Sequence, residues 1–200
     1  MLYFERKLKK KGKDLIIGID EAGRGPLAGP VVAAAVFLKK ARFKNRIDDS
    51  KKLTPLQREK AFLEITDKAL FGIGVMNEKI IDRLNILEAT RLAMEKAVAE
   101  LLNKLTSFNE KRTHLLVDGN VRLDLNLAVT NIIRGDSRSK SIASASILAK
   151  VTRDRIMLLY DKIFPQYGFL KHKGYPTKAH RKALKKFGKS IIHRTTFSGV

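Results

Sequence analysis

Apolar and polar residues along this 200-residue chain fall into short blocks whose period changes from one block to the next. Leu15–Asp20 is a brief apolar run closed by a glycine-rich turn, and Val31–Leu38 is a second, β-rich run that opens after Pro30. Apolar runs of this length bounded by turn residues read as strands. Thr54-Pro55 has the form of a helix N-cap followed by proline at the first helical position. The spacing predicts a helix from there through about Leu70, burying Phe62, Ile65 and Ala69, and then a third strand over Phe71–Met76. Asn77 stands as the cap of a long helix predicted from Glu78 to about Leu105. Its apolar positions Leu84, Leu87, Met94, Val98, Leu101 and Leu105 fall at helical spacing, with Arg91 interrupting the stripe.

His114–Val117 predicts a fourth strand running into Asp118-Gly119-Asn120, and Ala128–Arg134 a fifth ending at Gly135-Asp136. A helix over about Ser141–Tyr160 is rich in small side chains (Ala143, Ser144, Ala145, Ser146, Ala149), which let it lie close to a sheet. Thr177–Phe187 reads as a strongly basic helix stopped by Gly188. This order of strands and helices describes an α/β protein with one mixed sheet covered by helices and the basic terminal helix outside the core.

Composition adds a class of partner. Hydrophobic residues make up 44% of the chain, enough for a core, while 41 Lys and Arg against 20 Asp and Glu give a net charge of +21. Lys162–Val200 holds ten basic residues and no acidic one, and Met1–Lys13 holds six against Glu5, so the two ends carry +15 of the +21. Clustered positive charge suits nucleic acid, because neutralised phosphates release their counterions. A solvated basic face and an anionic membrane surface are the alternatives. The absence of cysteine excludes disulfides, thiolate zinc sites and a catalytic thiol. The longest apolar run, Pro30–Leu38, is too short for a membrane span, so a cytoplasmic protein without membrane association is expected.

Asp20, Asp118 and Asp136 each come at or just after the end of an apolar strand and beside a glycine, and Glu21 adds a fourth carboxylate. Clustered carboxylates resist ionising together. Bound Mg²⁺ or Mn²⁺ relieves that repulsion, and two such ions can activate a water and stabilise a leaving oxygen at a phosphodiester. The competing reading is local: a strand-end Asp often caps a helix or forms an Asx turn. Neighbouring strand residues point to opposite faces, so Asp20 and Glu21 reach one site only if the strand ends or twists at Glu21. The four histidines, His114, His172, His180 and His193, lack paired ligand spacing and read as scattered surface or packing residues.

Gly23-Arg24-Gly25 follows at once, and glycines let backbone N–H groups approach a ligand closely. The stretch GIDEAGRGPLAGPVVAAAV (Gly18–Val36) resembles the opening of ribonuclease HII. So do DDSKKLT (Asp48–Thr54), VDGN (Val117–Asn120), RGDSRSKSIASASILAKVTRDR (Arg134–Arg155) and KHKGYPTKAH (Lys171–His180), in the family's order and over nearly the whole chain. The resemblance implies a ribonuclease H-like five-stranded mixed sheet flanked by helices, with residues 1–160 as catalytic core and 161–200 as a basic, helical C-terminal substrate-binding lobe. It implies Asp20, Glu21, Asp118 and Asp136 as catalytic metal ligands for two Mn²⁺ or Mg²⁺ ions. It implies Gly23, Arg24 and Gly25 as backbone readers of a ribonucleotide 2′-hydroxyl, with Tyr175 packing at the RNA-to-DNA junction.

Ser50, Lys51 and Lys52 resemble a phosphate-contacting loop, although a solvated charged turn accounts for them nearly as well. Lys150 and Asp154 fit an i, i+4 helix pair. The implied substrates are RNA–DNA hybrid and DNA-RNA-DNA duplex, cut to leave 5′-phosphate and 3′-hydroxyl ends. A monomer is expected, and no sliding-clamp motif is evident in the tail, so no protein partner is assigned. The sister family, ribonuclease HIII, typically has an extra N-terminal domain and Glu at the fourth acidic position; Asp136 and the 13-residue basic start favour type HII. A nucleic-acid-binding module with a dead site is the non-enzymatic alternative, and the full acidic set counts against it.

Overall fold

The computed structural model describes residues 1–200. Five strands, β1 (Leu15–Ala22), β2 (Val31–Leu38), β3 (Ala69–Met76), β4 (Thr113–Asp118) and β5 (Ala128–Ile132), form one sheet in the order β3-β2-β1-β4-β5. The first three strands pair antiparallel, and β1–β4 and β4–β5 pair parallel. Seven helices accompany them: α1 (Tyr3–Lys10), α2 (Pro55–Lys68), α3 (Glu78–Leu84), α4 (Ile86–Leu102), α5 (Lys140–Ile163), α6 (Phe169–His172) and α7 (Lys178–Phe187). None is long and apolar enough to cross a membrane.

The uninterrupted apolar run of β2 follows from burial on both faces. Ala33 and Ala35 join Ile17, Ile19, Met94, Val98 and Leu101 in the core under α4. Ala34 and Val36 turn the other way and join Ile65, Ala145, Leu148 and Ala149 under α2 and α5. Side-chain alternation thus splits one run between two cores. The small side chains predicted on α5 are buried, as expected for a helix lying close to the sheet. The same economy operates on α4: a Cβ added to Gly74 would stand 1.8 Å from the Ala93 carbonyl, so this approach requires glycine.

Several boundaries differ from the sequence expectation. The helix capped by Thr54 ends at Lys68 rather than near Leu70, because Ala69 and Leu70 are drawn into the ladder opposite Leu38 and Phe37. The single helix expected over Glu78–Leu105 is two helices. Asn85, at φ 72°, ends α3 and caps α4 by accepting from the Leu87 and Glu88 N–H groups. The break resets the helical phase, so Leu87 is 61% exposed while Ala89, Ala93 and Ala97 join Met94, Val98 and Leu101 in the core. Arg91 faces outward between Glu88 and Glu95. The fifth strand stops at Ile132, and the chain passes through a left-handed Arg134 and a 3₁₀ turn at Gly135–Ser137 before Ser139 caps α5.

Helix α1 was not foreseen. Its Glu5 carboxylate is buried and accepts from Ser139 Oγ, Ser141 N and Ser141 Oγ, which pins the basic N-terminus against the start of α5. At the other end, Ala28, Met157, Tyr167, Phe169 and Ile192 form a small separate core. Main-chain bonds Leu27 N–Gly174 O, Gly29 N–Ile192 O and Arg194 N–Leu27 O stitch the C-terminal residues to the loop between β1 and β2.

Candidate active site

Strand β1 outruns its parallel neighbour. Its ladder with β4 ends at Ile19–Val117, whereas its antiparallel ladder with β2 continues through Ala22–Val32. Beyond Ile19, one edge of β1 is therefore open, and a cavity of about 690 Å³ fills the gap. Asp20 and Glu21 both line it, together with Asp118 from the last position of β4 and Asp136 from the turn before α5. Of the two alternatives the sequence offered, an end or a twist at Glu21, the strand does not take the first: it runs one residue further, to Ala22. An open edge is accessible from both faces, so alternation is no obstacle to two consecutive residues sharing the site.

Burial and repulsion from neighbouring carboxylates hold Asp20, Glu21 and Asp136 toward their protonated forms. Asp20 is raised well above the usual carboxylate range by burial first, then by Glu21 and Asp118. Burial also raises Glu21, against the opposing pull of the Arg24 guanidinium 3.5 Å away. Asp136 is pushed up to about 6 by burial, Asp49 and Asp118. A hard divalent cation is the chemical complement of such an oxygen-only set. No three of the carboxylates are gathered into a finished ion cage, and Asp118 Oδ1 is engaged by the Gly135 N–H at 2.5 Å. The donor chemistry, carboxylate oxygens alone, fits a hard divalent cation.

Gly23, Arg24, Gly25 and Tyr175 line the same cavity, as do Ser50 and Lys51. Gly23 has φ +103°, and a Cβ there would stand 2.1 Å from Arg153 Nε, so conformation and space both demand glycine. A Cβ on Gly25 would lie 3.9 Å from the Tyr175 ring, which places loop and aromatic side by side. Lys52 is not among the lining residues; its ammonium lies 3.8 Å from Asp48.

Sequence reasoning missed several neighbours. Asp49 stands beside Asp136 and caps the 3₁₀ turn at Ser50–Lys52. Ser146 lines the cavity and bonds Ser50 at 2.9 Å, and Lys150 lines it while paired to Asp154 at 2.7 Å. A hydroxyl and an ammonium on an otherwise apolar stretch of α5 were the available signal. Three of the histidines regarded as scattered meet behind Tyr175: His180 and His193 share an Nε2–Nε2 hydrogen bond of 3.0 Å, and His172 stacks on His180 at 4.5 Å. They are packing residues, each held by backbone partners.

Fold and site together define a hydrolase of the ribonuclease H class: a five-stranded mixed sheet with carboxylates where the parallel strands end. The family model for ribonuclease HII matches residues 17–200. Ribonuclease HII of Geobacter sulfurreducens is 52% identical over 98% of this chain and 88% of that protein. The archaeal enzyme in the PCNA:RNase HII complex from Archaeoglobus fulgidus superposes with a TM-score of 0.74 at 26% identity, covering 92% of this chain and 95% of that one. Bst-RNase HIII in complex with Mn²⁺ shares the fold, with a TM-score of 0.70 at 15% identity over 96% of this chain and 70% of that one. The chain belongs to the ribonuclease HII family, and it is a ribonuclease acting on RNA–DNA hybrids. The Archaeoglobus fulgidus structure is of a complex with PCNA, so the expectation of a monomer with no assigned protein partner finds no support there.

Proposed function

We propose that this ribonuclease cuts at single ribonucleotides embedded in duplex DNA as well as within longer hybrids, using two divalent cations held by Asp20, Glu21, Asp118 and Asp136. The observation that carries the reading is the shared cavity: four carboxylates, the Gly23–Gly25 loop and Tyr175 line one opening. When bound, Mn²⁺ or Mg²⁺ supplies Lewis-acid activation of water and charge stabilisation at the departing 3′-oxygen. The chain's own residues bind and orient. Arg24, Lys51 and Lys150 put positive charge on the rim for phosphates. The loop backbone reads the 2′-hydroxyl, the only group that distinguishes RNA from DNA at one nucleotide, and Tyr175 packs against the junction. Residues 161–200 serve as the duplex-binding lobe.

The test joins binding to turnover. Asp118→Asn should lower Mn²⁺- or Mg²⁺-dependent cleavage of a duplex carrying one ribonucleotide by at least about a hundredfold. Calorimetry should show weakened Mn²⁺ binding in the same variant. Full activity in Asp118→Asn refutes the carboxylate cage, and failure of the wild type to nick that duplex refutes the single-ribonucleotide reading.

A further inference from the structure

Two arginines lie wholly inside the protein behind the Gly23–Pro30 loop, and neither has a carboxylate partner. Arg194 donates from Nη2 to Gly23 O (2.6 Å) and Gly29 O (2.8 Å), from Nη1 to Arg24 O (2.9 Å) and from Nε to Gly29 O (2.9 Å). Arg153 donates to Ala28 O, Pro30 O and Lys173 O at 3.0 ± 0.1 Å, and its guanidinium lies 5.8 Å from the Tyr175 ring centroid. Both are 0% exposed. Every acceptor is a neutral main-chain carbonyl, and Glu78 and Asp82 act on Arg194 only from longer range. Burial and mutual repulsion pull Arg194 down to about 9, with burial the larger cause.

A buried, unpaired cation is among the costliest groups a core can hold, and an apolar side chain of similar volume would fill the space more cheaply. What the guanidinium provides instead is direction. All peptide bonds here are trans, and in a planar trans unit the C=O and the N–H point opposite ways. Drawing the Gly23 and Arg24 carbonyls inward therefore turns the Arg24 and Gly25 N–H groups outward, on the side of the carboxylate cavity that both residues line. Neither N–H has an acceptor in the protein.

We propose that Arg194, assisted by Arg153, is a positioning residue that sets the peptide planes of the Gly23-Arg24-Gly25 loop so that two backbone N–H donors face the ribose of the substrate. This rests on the reading of that loop as the 2′-hydroxyl reader. The C-terminal segment stays attached without the guanidinium, because Arg194 N–Leu27 O and Gly29 N–Ile192 O are main-chain bonds. Arg194→Lys and Arg194→Met therefore keep the fold and lose the orientation.

The experiment measures affinity by fluorescence anisotropy in EDTA, for a duplex with one ribonucleotide and for the same duplex in all-DNA form. In the wild type the ribonucleotide duplex binds more tightly. In both Arg194 variants that preference should shrink about tenfold or to unity, while all-DNA affinity changes less than about twofold. Ile192→Ala, which loosens the same segment without touching the guanidinium, should lower the melting temperature and leave the preference intact. A preference that survives in Arg194→Lys and Arg194→Met, or one that collapses equally in Ile192→Ala, overturns the inference and leaves the ribose reading standing. A wild type that binds both duplexes equally refutes the ribose reading itself, and the inference with it.

Discussion

Asp136 keeps its proton up to about 6 because it is buried and faces Asp49 and Asp118. An acid whose folded pKa is raised contributes stability that is fully present below its unfolded value, here 3.8, and is lost as the pH climbs through about 6. A divalent cation offsets that loss, and it competes with protons for the same oxygens. Mn²⁺ should therefore raise the melting temperature more at about pH 8 than at about pH 5. Scanning fluorimetry at the two pH values checks this, and equal shifts would place the ion away from Asp136. The four carboxylates were legible in the sequence because acidic residues rarely close apolar strands. Asp49 was not, since its approach to Asp136 depends on a loop from the far side of the sheet folding across the strand ends.

At the level of elements, Asn85 is the most informative departure. Its backbone, at φ 72° and ψ 166°, lies where glycine is at ease and other residues are strained, and its side chain caps α4. Asn85→Ala should destabilise the protein by about 1–3 kcal/mol through loss of the cap with the strain retained. Asn85→Gly relieves the strain as it removes the cap, and should fall within about 1 kcal/mol of the wild type. Urea unfolding separates the two, and an alanine variant as stable as the wild type would show that the break stores no strain and needs no cap. The helical period through Leu84 and Leu87 concealed this break. The buried face of α4 carries Ala89, Ala93 and Ala97 beside Met94, Val98 and Leu101, and Gly72 and Gly74 on β3 let the helix backbone approach closely there. Thr54 and Asn77, by contrast, cap helices where the sequence placed them, because a cap is written within four residues.

For the molecule as a whole, charge is the dominant property. Lys178, Arg181, Lys182, Lys185 and Lys186 are all exposed on α7, and α1 carries a second basic set. Binding to hybrid or DNA duplex should be steeply salt-dependent, with affinity falling about a thousandfold between about 50 and 200 mM salt if some six phosphates are neutralised. Anisotropy titrations across that range decide it, and a flat dependence would reduce the basic ends to solvated faces.

The sequence by itself determined the order of the five strands along the chain, the caps at Thr54 and Asn77 and the two basic ends, and it singled out the four carboxylates as candidates, because each is written in the chemistry of a few consecutive residues. Tertiary structure alone decided that β1 runs past β4 and opens an edge where Asp20 and Glu21 share a cavity. It also decided that Lys52 stays outside, that three histidines meet, and that Arg194 grips a loop 170 residues away. The physical reason is common to all of these. A buried cation and an exposed one are the same letter in the chain, and only the packing of distant surfaces determines which it becomes.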